Sequence, residues 1–145
     1  MGIEIEKAIK KDLEKIAEIF KKEFSDIPYK EKWTEKQALE RIKCYYKNSF
    51  IFCAKIKNKI LGFVIFETYD WYDGKRACIN EIVVSKESQG KGIGKALIKY
   101  SEDYLKNEGV KDISLTASTK AKSFLLYKKI GYKEDNYVSL SKILK

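Results

Sequence analysis

The feature that most constrains this chain is a strand, a glycine-rich loop and a helix in direct succession between residues 79 and 97. The apolar run Ile-Val-Val at residues 82–84 is typical of a buried strand. Glycine then recurs at Gly90, Gly92 and Gly94, and a helical pattern of apolar residues follows. Glycines allow the backbone to approach a ligand closely, and the unpaired N–H groups of a helix's first turn attract anions. This stretch therefore predicts a phosphate-binding loop.

The spacing of the glycines distinguishes between kinds of phosphate loop. A dinucleotide fingerprint starting at Gly90 would need glycine at position 95, where Lys95 stands. A mononucleotide P-loop would need glycine at position 89 and serine or threonine at position 96, but the chain has Gln89 and Ala96. The pattern that fits is Q-x-x-G-x-G, from Gln89 to Gly94. A glycine loop that only turns the chain into a helix is the structural alternative.

The Q-x-x-G-x-G pattern resembles the acyl-CoA-binding signature of the GCN5-related N-acetyltransferases, the GNAT family. The resemblance implies that acetyl-CoA is the co-substrate, that the strand pairs with the pantetheine arm through backbone groups, and that loop amides hold the pyrophosphate. By position, the implied strand contacts are Ile82, Val83 and Val84. The implied phosphate contacts are Gln89, Gly90, Lys91, Gly92, Ile93, Gly94 and Lys95.

A second stretch, S-F-L-L-Y-K-K-I-G-Y at residues 123–132, is similar to the second signature of the same family. By position, Tyr127 matches the tyrosine that lies near the coenzyme sulfur, and its implied role is to protonate the departing thiolate. The small residue usual four positions earlier is present as Ser123, whereas the asparagine common at the helix start is replaced by Thr119 or Lys120. The structural alternative for Tyr127 is a core position on an amphipathic helix.

Acetyl transfer to an amine needs a group that takes the amine's proton, and a carboxylate can do so directly or through water. Glu81 is the predicted base, because it stands just before the pantetheine segment, where the family often has a glutamate. Strand alternation places it beside Ile79 and Val83, an apolar setting that would raise its pKa. A strand glutamate paired with a lysine is the alternative.

Two further points of the chemistry follow from the residues available. Backbone N–H groups at Val83 and Val84 would polarise the thioester carbonyl. The chain has no histidine, so a Ser-His or Cys-His relay is excluded. Direct transfer is therefore expected rather than an acyl-enzyme.

The resemblance places the amine acceptor between the loop that joins the first two helices and the central hairpin. The residues predicted to line this entrance are Tyr29, Trp33, Glu67, Asp70 and Trp71. Acidic and aromatic side chains suit a cationic amine through charge and cation–π contact. A polyamine-like amine, an aminoglycoside, and a peptide N-terminus or lysine are all compatible with it, and an ordinary exposed hairpin is the alternative for Glu67 to Trp71.

Local patterns predict the order of the elements. Strands are expected at 3–9, 50–56, 60–69, up to residue 84, 111–117 and 137–144, and helices at 13–24, from residue 35 on, 93–107 and 120–130. Thr34 and Gln37 predict a capping box for the second helix, with Tyr46 on its apolar stripe. The predicted fold is α/β, with a mixed, mostly antiparallel central sheet and helices on both faces, which also resembles the GNAT architecture. The 145 residues suit a single N-acetyltransferase domain, residues 1–145.

The composition limits the partners. The formal net charge is +9, but arginine occurs only at Arg41 and Arg76 and the lysines are spread along the chain, which argues against nucleic acid as the main partner. Three scattered cysteines and the lack of histidine argue against a metal site. No membrane span or signal peptide is indicated, so a cytoplasmic protein is expected, and a homodimer is left open.

The sequence is compatible with three functions. The first is an acetyl-CoA-dependent N-acetyltransferase that acts on a small cationic molecule or on a peptide or protein amine. The second is a catalytically inactive acyl-CoA-binding regulatory protein. The third is a basic nucleic-acid-binding module, which would bind DNA or RNA with a steep salt dependence.

Overall fold

A five-stranded sheet lies at the centre of the computed structural model, which describes residues 2–145. Its strands, in their order across the sheet, are β1 (Glu4–Lys7), β2 (Phe50–Ile56), β3 (Lys59–Trp71), β4 (Gly74–Val84) and β5 (Ile113–Leu115). The first four run antiparallel to their neighbours, and β5 runs parallel to β4. The sheet is therefore mixed and mostly antiparallel, which confirms the predicted fold class.

Helices pack against both faces of this sheet. They are α1 (Leu13–Phe24), α2 (Glu35–Asn48), α3 (Ile93–Asn107) and α4 (Lys122–Lys129). Because side chains alternate along a strand, Phe63 and Ile65 of β3 join the core under α1 and α2, whereas Val64 and Phe66 join the core under α3. Among the helices of residues 2–145, none is long and apolar enough to cross a membrane.

The start of α2 forms the predicted capping box. The Gln37 N–H donates to the Thr34 hydroxyl (3.1 Å), and the Thr34 N–H donates to the Gln37 side-chain oxygen (3.0 Å). The apolar stripe of the helix differs from the prediction by one position, since Tyr45 is 7% exposed and Tyr46 is 40% exposed. Both tyrosines fit a helical stripe that includes Ile42, and the tertiary packing selects Tyr45.

The C-terminal prediction is wrong in one respect. Residues 137–144 form no strand within the described chain, and every residue from 133 to 145 is exposed. The neighbouring β5 is also short, with three residues in place of the predicted seven. Alternating apolar residues predict an extended conformation, but a strand also needs a partner to share its backbone hydrogen bonds. This segment has no such partner among the described residues.

Candidate active site

β4 is longer than its parallel neighbour β5, so part of the β4 edge on that side has no strand partner among residues 2–145. The β4–β5 ladder joins only three residue pairs, from Ala77 with Ile113 to Ile79 with Leu115. β4 continues to Val84, and among residues 2–145 no strand pairs with that last part on the β5 side. Backbone N–H and C=O groups are strong hydrogen-bonding groups that need partners. The open edge can therefore accept an extended, amide-bearing chain.

A β-bulge divides β4 just before this open part. Ile65 of β3 lies opposite Glu81 and Phe66 lies opposite Ile79, so Asn80 is an extra residue. The bulge changes the side of the sheet on which later residues lie. Ile79 accordingly packs under α3, whereas Val83 packs under α1 and α2. The prediction that Ile79 and Val83 share one face with Glu81 is therefore wrong for Ile79.

The Glu81 carboxylate meets α2 on the Val83 side of the sheet. The Tyr45 hydroxyl donates a hydrogen bond to Glu81 Oε2 (2.8 Å) and accepts one from Arg41 Nη2 (3.0 Å). The Arg41 guanidinium also lies 4.5 Å from the centre of the Tyr45 ring. Within the described chain no lysine forms an ion pair with Glu81, so the alternative of a simple lysine pair is not what the structure shows.

Burial has the largest effect on the pKa of the Glu81 carboxyl group. Desolvation raises the pKa of Glu81, while the hydrogen bond from Tyr45 and the charge of Arg41 act to lower it. Burial, together with the nearby Glu81, raises the pKa of Tyr45 to about 12. The pair therefore consists of a tyrosine that stays protonated and a carboxyl group that holds its proton at higher pH than a solvent-exposed glutamate.

Tyr127 of α4 lies within electrostatic reach of the Glu81 carboxylate. It is 7% exposed and is the buried residue of α4. Burial raises its pKa to about 12, with further contributions from Tyr29 and Glu81, and Ser123 acts in the opposite direction through a hydrogen bond. Burial and the same Glu81 also raise the pKa of Tyr29. Glu81 therefore acts electrostatically on two residues, Tyr29 and Tyr127, that the sequence analysis singled out in separate stretches.

The other predicted acceptor residues are dispersed. The Trp33 ring packs edge-on against Phe20, and its indole N–H donates to Glu31 (2.8 Å). Trp33 also lines a shallow groove of about 650 Å³ together with Glu31 and Arg41. The remaining three, Glu67, Asp70 and Trp71, are exposed on the β3–β4 hairpin, and no hydrogen bond or ion pair in the described chain joins them to Glu81 or Tyr127.

The glycine loop leads into α3 with its amides free. Gly90 and Gly92 have φ angles of +78° and +83°, which glycine adopts without strain. Among residues 2–145 no side chain caps α3, its first turn carries no acidic residue, and its first hydrogen bond runs from the Ala96 N–H to the Gly92 carbonyl. The N–H groups of residues 93–95 therefore point ahead of the helix without intrahelical partners. Such an arrangement favours a bound anion.

A hydrogen-bonded clasp fixes this loop to the end of α1, and we define it by Glu23, Asp26, Lys86 and Gln89. The Glu23 carboxylate accepts from the Lys86 N–H (3.0 Å) and from Gln89 Nε2 (3.0 Å). Gln89 Nε2 also donates to the Val84 carbonyl (2.9 Å), and Lys86 Nζ pairs with Asp26 (3.2 Å). The Gln89 side chain is thus used within the protein, where it holds the loop against the end of β4.

Sequence reasoning missed Arg41, Tyr45 and Glu23. The i, i+4 spacing of Arg41 and Tyr45 on a helix was the available signal for their contact with each other. The contact of Tyr45 with Glu81 spans 36 residues, and that of Glu23 with Gln89 spans 66. Such contacts depend on the folded chain and leave no local pattern.

Comparisons with known proteins agree with this geometry. The family model for the acetyltransferase (GNAT) family matches residues 13–132. This chain therefore belongs to the GNAT family of acetyltransferases, and the resemblance noted in its sequence is confirmed. Among curated proteins, no sequence match was found.

Solved structures share the fold over nearly the whole chain. A possible acetyltransferase from Clostridium difficile 630 matches with a TM-score of 0.85 and 18% identity, covering 99% of this chain and 98% of that one. A ribosomal-protein-alanine N-acetyltransferase from Brucella melitensis biovar Abortus 2308 matches with a TM-score of 0.82 and 19% identity over 98% and 99% of the two chains. An aminoglycoside acetyltransferase from an uncultured soil metagenomic sample, in complex with sisomicin, matches with a TM-score of 0.75 and 21% identity over 99% and 97%. These identities establish the shared fold alone.

Proposed function

We propose that this protein is an acetyl-CoA-dependent N-acetyltransferase that moves an acetyl group directly to a primary amine. One observation carries the proposal: the open edge of β4 leads through the glycine loop to the uncapped start of α3, and the same strand carries Glu81, whose charge acts on Tyr127. The open edge of β4 suits an extended coenzyme arm, the start of α3 suits its phosphates, and Glu81 with Tyr127 suits proton transfer at the thioester end. Residues 1–145 would act as one domain.

The chain offers a fitting set of groups for acetyl-CoA, which would supply the acetyl group as a thioester. The backbone of Ile82, Val83 and Val84 lies beyond the β5 ladder and would pair with the pantetheine arm, apart from the Val84 carbonyl, which accepts a hydrogen bond from Gln89. Backbone amides in the loop and first helical turn, residues 90–95, would hold the pyrophosphate, with the charges of Lys91 and Lys95 nearby. Gln89 would act by shaping the loop, because its side chain is bonded to the protein.

Glu81 would act as the general base. An amine is mostly protonated at neutral pH, so its proton must leave before the nitrogen can attack the thioester carbon. The raised pKa of Glu81 brings the carboxylate closer to neutrality, where it accepts that proton more readily. Tyr45 and Arg41 hold the carboxylate in place during this step.

Tyr127 would act as the general acid on the other side of the reaction. When the new C–N bond forms and the C–S bond breaks, the departing sulfur carries a negative charge. A tyrosine whose pKa is about 12 is fully protonated at neutral pH and can donate its proton to that sulfur. Backbone N–H groups at the end of β4 would polarise the thioester carbonyl.

The acceptor would be a cationic amine of a small molecule or of a peptide or protein. Glu31 and Glu81 supply negative charge, and Tyr29 supplies an aromatic face beside them. The groove at Trp33 is lined by Glu31 and by Arg41, whose guanidinium donates to the Tyr45 hydroxyl that in turn donates to Glu81. The named structural neighbours include one that acts on an aminoglycoside class and one on ribosomal-protein alanine, so both kinds of amine belong in an acceptor panel.

A thermal-shift titration followed by a thiol-release assay tests this proposal. Acetyl-CoA and CoA at about 100 times their dissociation constant should stabilise the protein by about 2.7 kcal/mol, while ATP and NADH should not. With acetyl-CoA and a suitable amine from the panel, free thiol should then appear. A shift without thiol release from any amine would indicate an acyl-CoA-binding protein, and an equal shift with ATP would contradict the coenzyme site.

Two glycines provide a matched pair of variants for the same titration. Gly92 and Gly109 both have φ angles near +80° and open space at the missing Cβ, but they lie at opposite ends of α3. Ala at either position strains the backbone similarly. Gly92→Ala should reduce the acetyl-CoA shift and Gly109→Ala should keep it.

A further inference from the structure

The two arginines of the chain differ in their partners. Arg76 lies 2.8 Å from the Asp73 carboxylate and 3.8 Å from that of Asp112. Arg41 forms no ion pair among residues 2–145, and its one side-chain hydrogen bond there is to the uncharged hydroxyl of Tyr45 (3.0 Å). A guanidinium has five N–H donors, so most donors of Arg41 are free to bind a ligand.

Arg41 is exposed on α2, yet its guanidinium is held in position. It lies over the Tyr45 ring, 4.5 Å from the ring centre, and its hydrogen bond to the hydroxyl of the same residue fixes it further. It also lines the groove at Trp33. A guanidinium that is already ordered can bind a carboxylate through two parallel hydrogen bonds at a lower entropic cost. The groove therefore offers a site for a carboxylate.

The carboxylate of Glu81 lies close to this guanidinium. The Tyr45 hydroxyl accepts from Arg41 Nη2 (3.0 Å) and donates to Glu81 Oε2 (2.8 Å), so these two atoms are no farther apart than the combined length of the two hydrogen bonds. An α-amino acid carries its ammonium and carboxylate groups on one carbon, through bonds of about 1.5 Å. With a hydrogen bond of about 2.9 Å at each end, such a molecule can bridge the gap between the two side chains.

A second negative charge lies near the same carboxylate. Glu31 lines the groove together with Arg41, and its charge acts to raise the pKa of Glu81 and of Tyr29. Glu31 is therefore within electrostatic reach of Glu81. A ligand whose carboxylate binds Arg41 would have its amine near these two glutamates, so the charges of the site match those of a zwitterion.

We propose that the acceptor is a free α-amino acid, whose carboxylate binds Arg41 while its amine lies at Glu81. This inference rests on the proposed acetyl transfer and narrows its acceptor. The amine proton passes to Glu81, the C–N bond forms, the C–S bond of the thioester breaks, and the sulfur leaves as the thiol with a proton from Tyr127. The products are an N-acetyl amino acid and CoA. An amine without a carboxylate on the same carbon leaves the Arg41 donors without that partner and is the poorer acceptor.

The test compares each amino acid with the amine that lacks its carboxylate. Thiol release gives kcat/KM for the standard amino acids and for matched amines, such as alanine with ethylamine, leucine with isoamylamine and phenylalanine with phenethylamine. The ratio of the two values is then compared between wild type and Arg41→Gln. This comparison cancels differences in amine basicity and any general effect of Arg41 on Glu81. Because a hydrogen bond to a charged group is lost, the ratio should fall about 10–100-fold in Arg41→Gln.

Two further variants separate the guanidinium from charge in general. Lys43→Gln removes a positive charge from an exposed position of the same helix that does not line the groove, so it should keep the wild-type ratio. Arg41→Lys keeps the charge but loses the paired donors, so it should give an intermediate ratio. Arg41 and Lys43 are both exposed, and circular dichroism checks that the variants are folded.

The opposite results would overturn the inference. An unchanged ratio in Arg41→Gln would mean that Arg41 does not bind the carboxylate, and an equal fall in Lys43→Gln would reduce the effect to long-range charge. Thiol release with an aminoglycoside or a peptide but with no amino acid would leave the proposed acetyl transfer in place and contradict the amino-acid acceptor. Thiol release with no amine of any kind would instead contradict the proposed function, and the inference with it.

Discussion

Opposing interactions act on the pKa of the Glu81 carboxyl group. Desolvation favours its neutral form, and the hydrogen bond from Tyr45 and the charge of Arg41 favour its charged form. Desolvation is the largest of these causes, so the pKa lies above the usual value. The balance can therefore be changed in a known direction by removing one stabilising partner.

Tyr45→Phe should move the acid limb of the activity profile to higher pH. The variant removes the hydroxyl that donates to Glu81 (2.8 Å), and losing a donor to the charged form raises a carboxyl pKa further. The measurement is kcat/KM against pH with a saturating amine. Tyr46→Phe is the matched control, since Tyr46 is the exposed neighbour on the same helix. Superimposable profiles for wild type and Tyr45→Phe would remove Glu81 from the role of base.

Tyr127→Phe should lower kcat and leave the affinity for acetyl-CoA nearly unchanged. General acid catalysis typically contributes about 10²–10⁴-fold, so a fall within that range is expected. The ring and its packing are retained in phenylalanine, and only the proton donor is lost. Tyr132→Phe serves as the control, because its ring lies 6.1 Å from that of Tyr127 and its hydroxyl bonds to Glu102. Equal turnover in wild type and Tyr127→Phe would leave Tyr127 a core residue.

At the scale of secondary-structure elements, the clasp joins α1, which precedes the predicted acceptor loop, to the glycine loop, which precedes α3. Glu23 lies in the last turn of α1, and its carboxylate accepts from both Lys86 and Gln89. Burial raises the pKa of Glu23, yet these two donors act to retain its charge. A change at Glu23 should therefore be felt at the glycine loop.

Glu23→Ala should weaken acetyl-CoA binding without unfolding the protein. Without its acceptor, the loop between β4 and α3 loses two hydrogen bonds and samples more conformations, so ordering it costs part of the binding free energy. The expected results are a higher KM for acetyl-CoA and a smaller thermal shift. Glu18→Ala on the same helix removes only an exposed pair with Lys15 and should behave like wild type. A normal KM in Glu23→Ala would show that the loop holds its shape alone.

Elements with local signals could be predicted from the sequence, and contacts between distant segments could not. The capping box at Thr34, the helix ending at Asn107 and the strand Phe50–Ile56 follow from patterns within a few residues, and the structure has them. The family's signatures placed Glu81 and Tyr127 in separate stretches but could not show that they lie near each other. The contact of Tyr45 with Glu81, the clasp and the unpaired C-terminal segment all depend on tertiary packing.

For the molecule as a whole, the lack of histidine shapes its response to pH. Histidine is the side chain whose unperturbed pKa lies between 5 and 8, and this sequence has none. Any other side chain titrates in that range only when its pKa is shifted. Side-chain titration near neutrality therefore requires a shifted pKa, and burial shifts the pKa of Glu81 upward, toward that range.

Glu81→Gln should increase the free energy of unfolding more at pH 7 than at pH 4. The pKa of Glu81 is higher in the folded than in the unfolded state, so the folded state binds more protons in that window. The contribution of this group is fully present below the unfolded pKa and is lost as pH rises through the folded pKa. Glutamine does not titrate and avoids that loss. Urea unfolding at the two pH values measures the difference, and a pH-independent difference would contradict the raised pKa.

The extra residue Asn80 changes the face of the sheet on which the later residues of β4 lie. Ile79 and Val83 are four positions apart and would share a face in a regular strand, yet they lie on opposite faces. In an uninterrupted strand Glu81 would point with Ile79 into the core under α3, away from Tyr45. The bulge at Asn80 therefore determines that the Glu81 carboxylate lies on the same face of the sheet as Tyr45. Deleting Asn80 would remove the bulge and leave Glu81 directly after Ile79 on the opposite face, so the deletion should keep the carboxylate beside Tyr45.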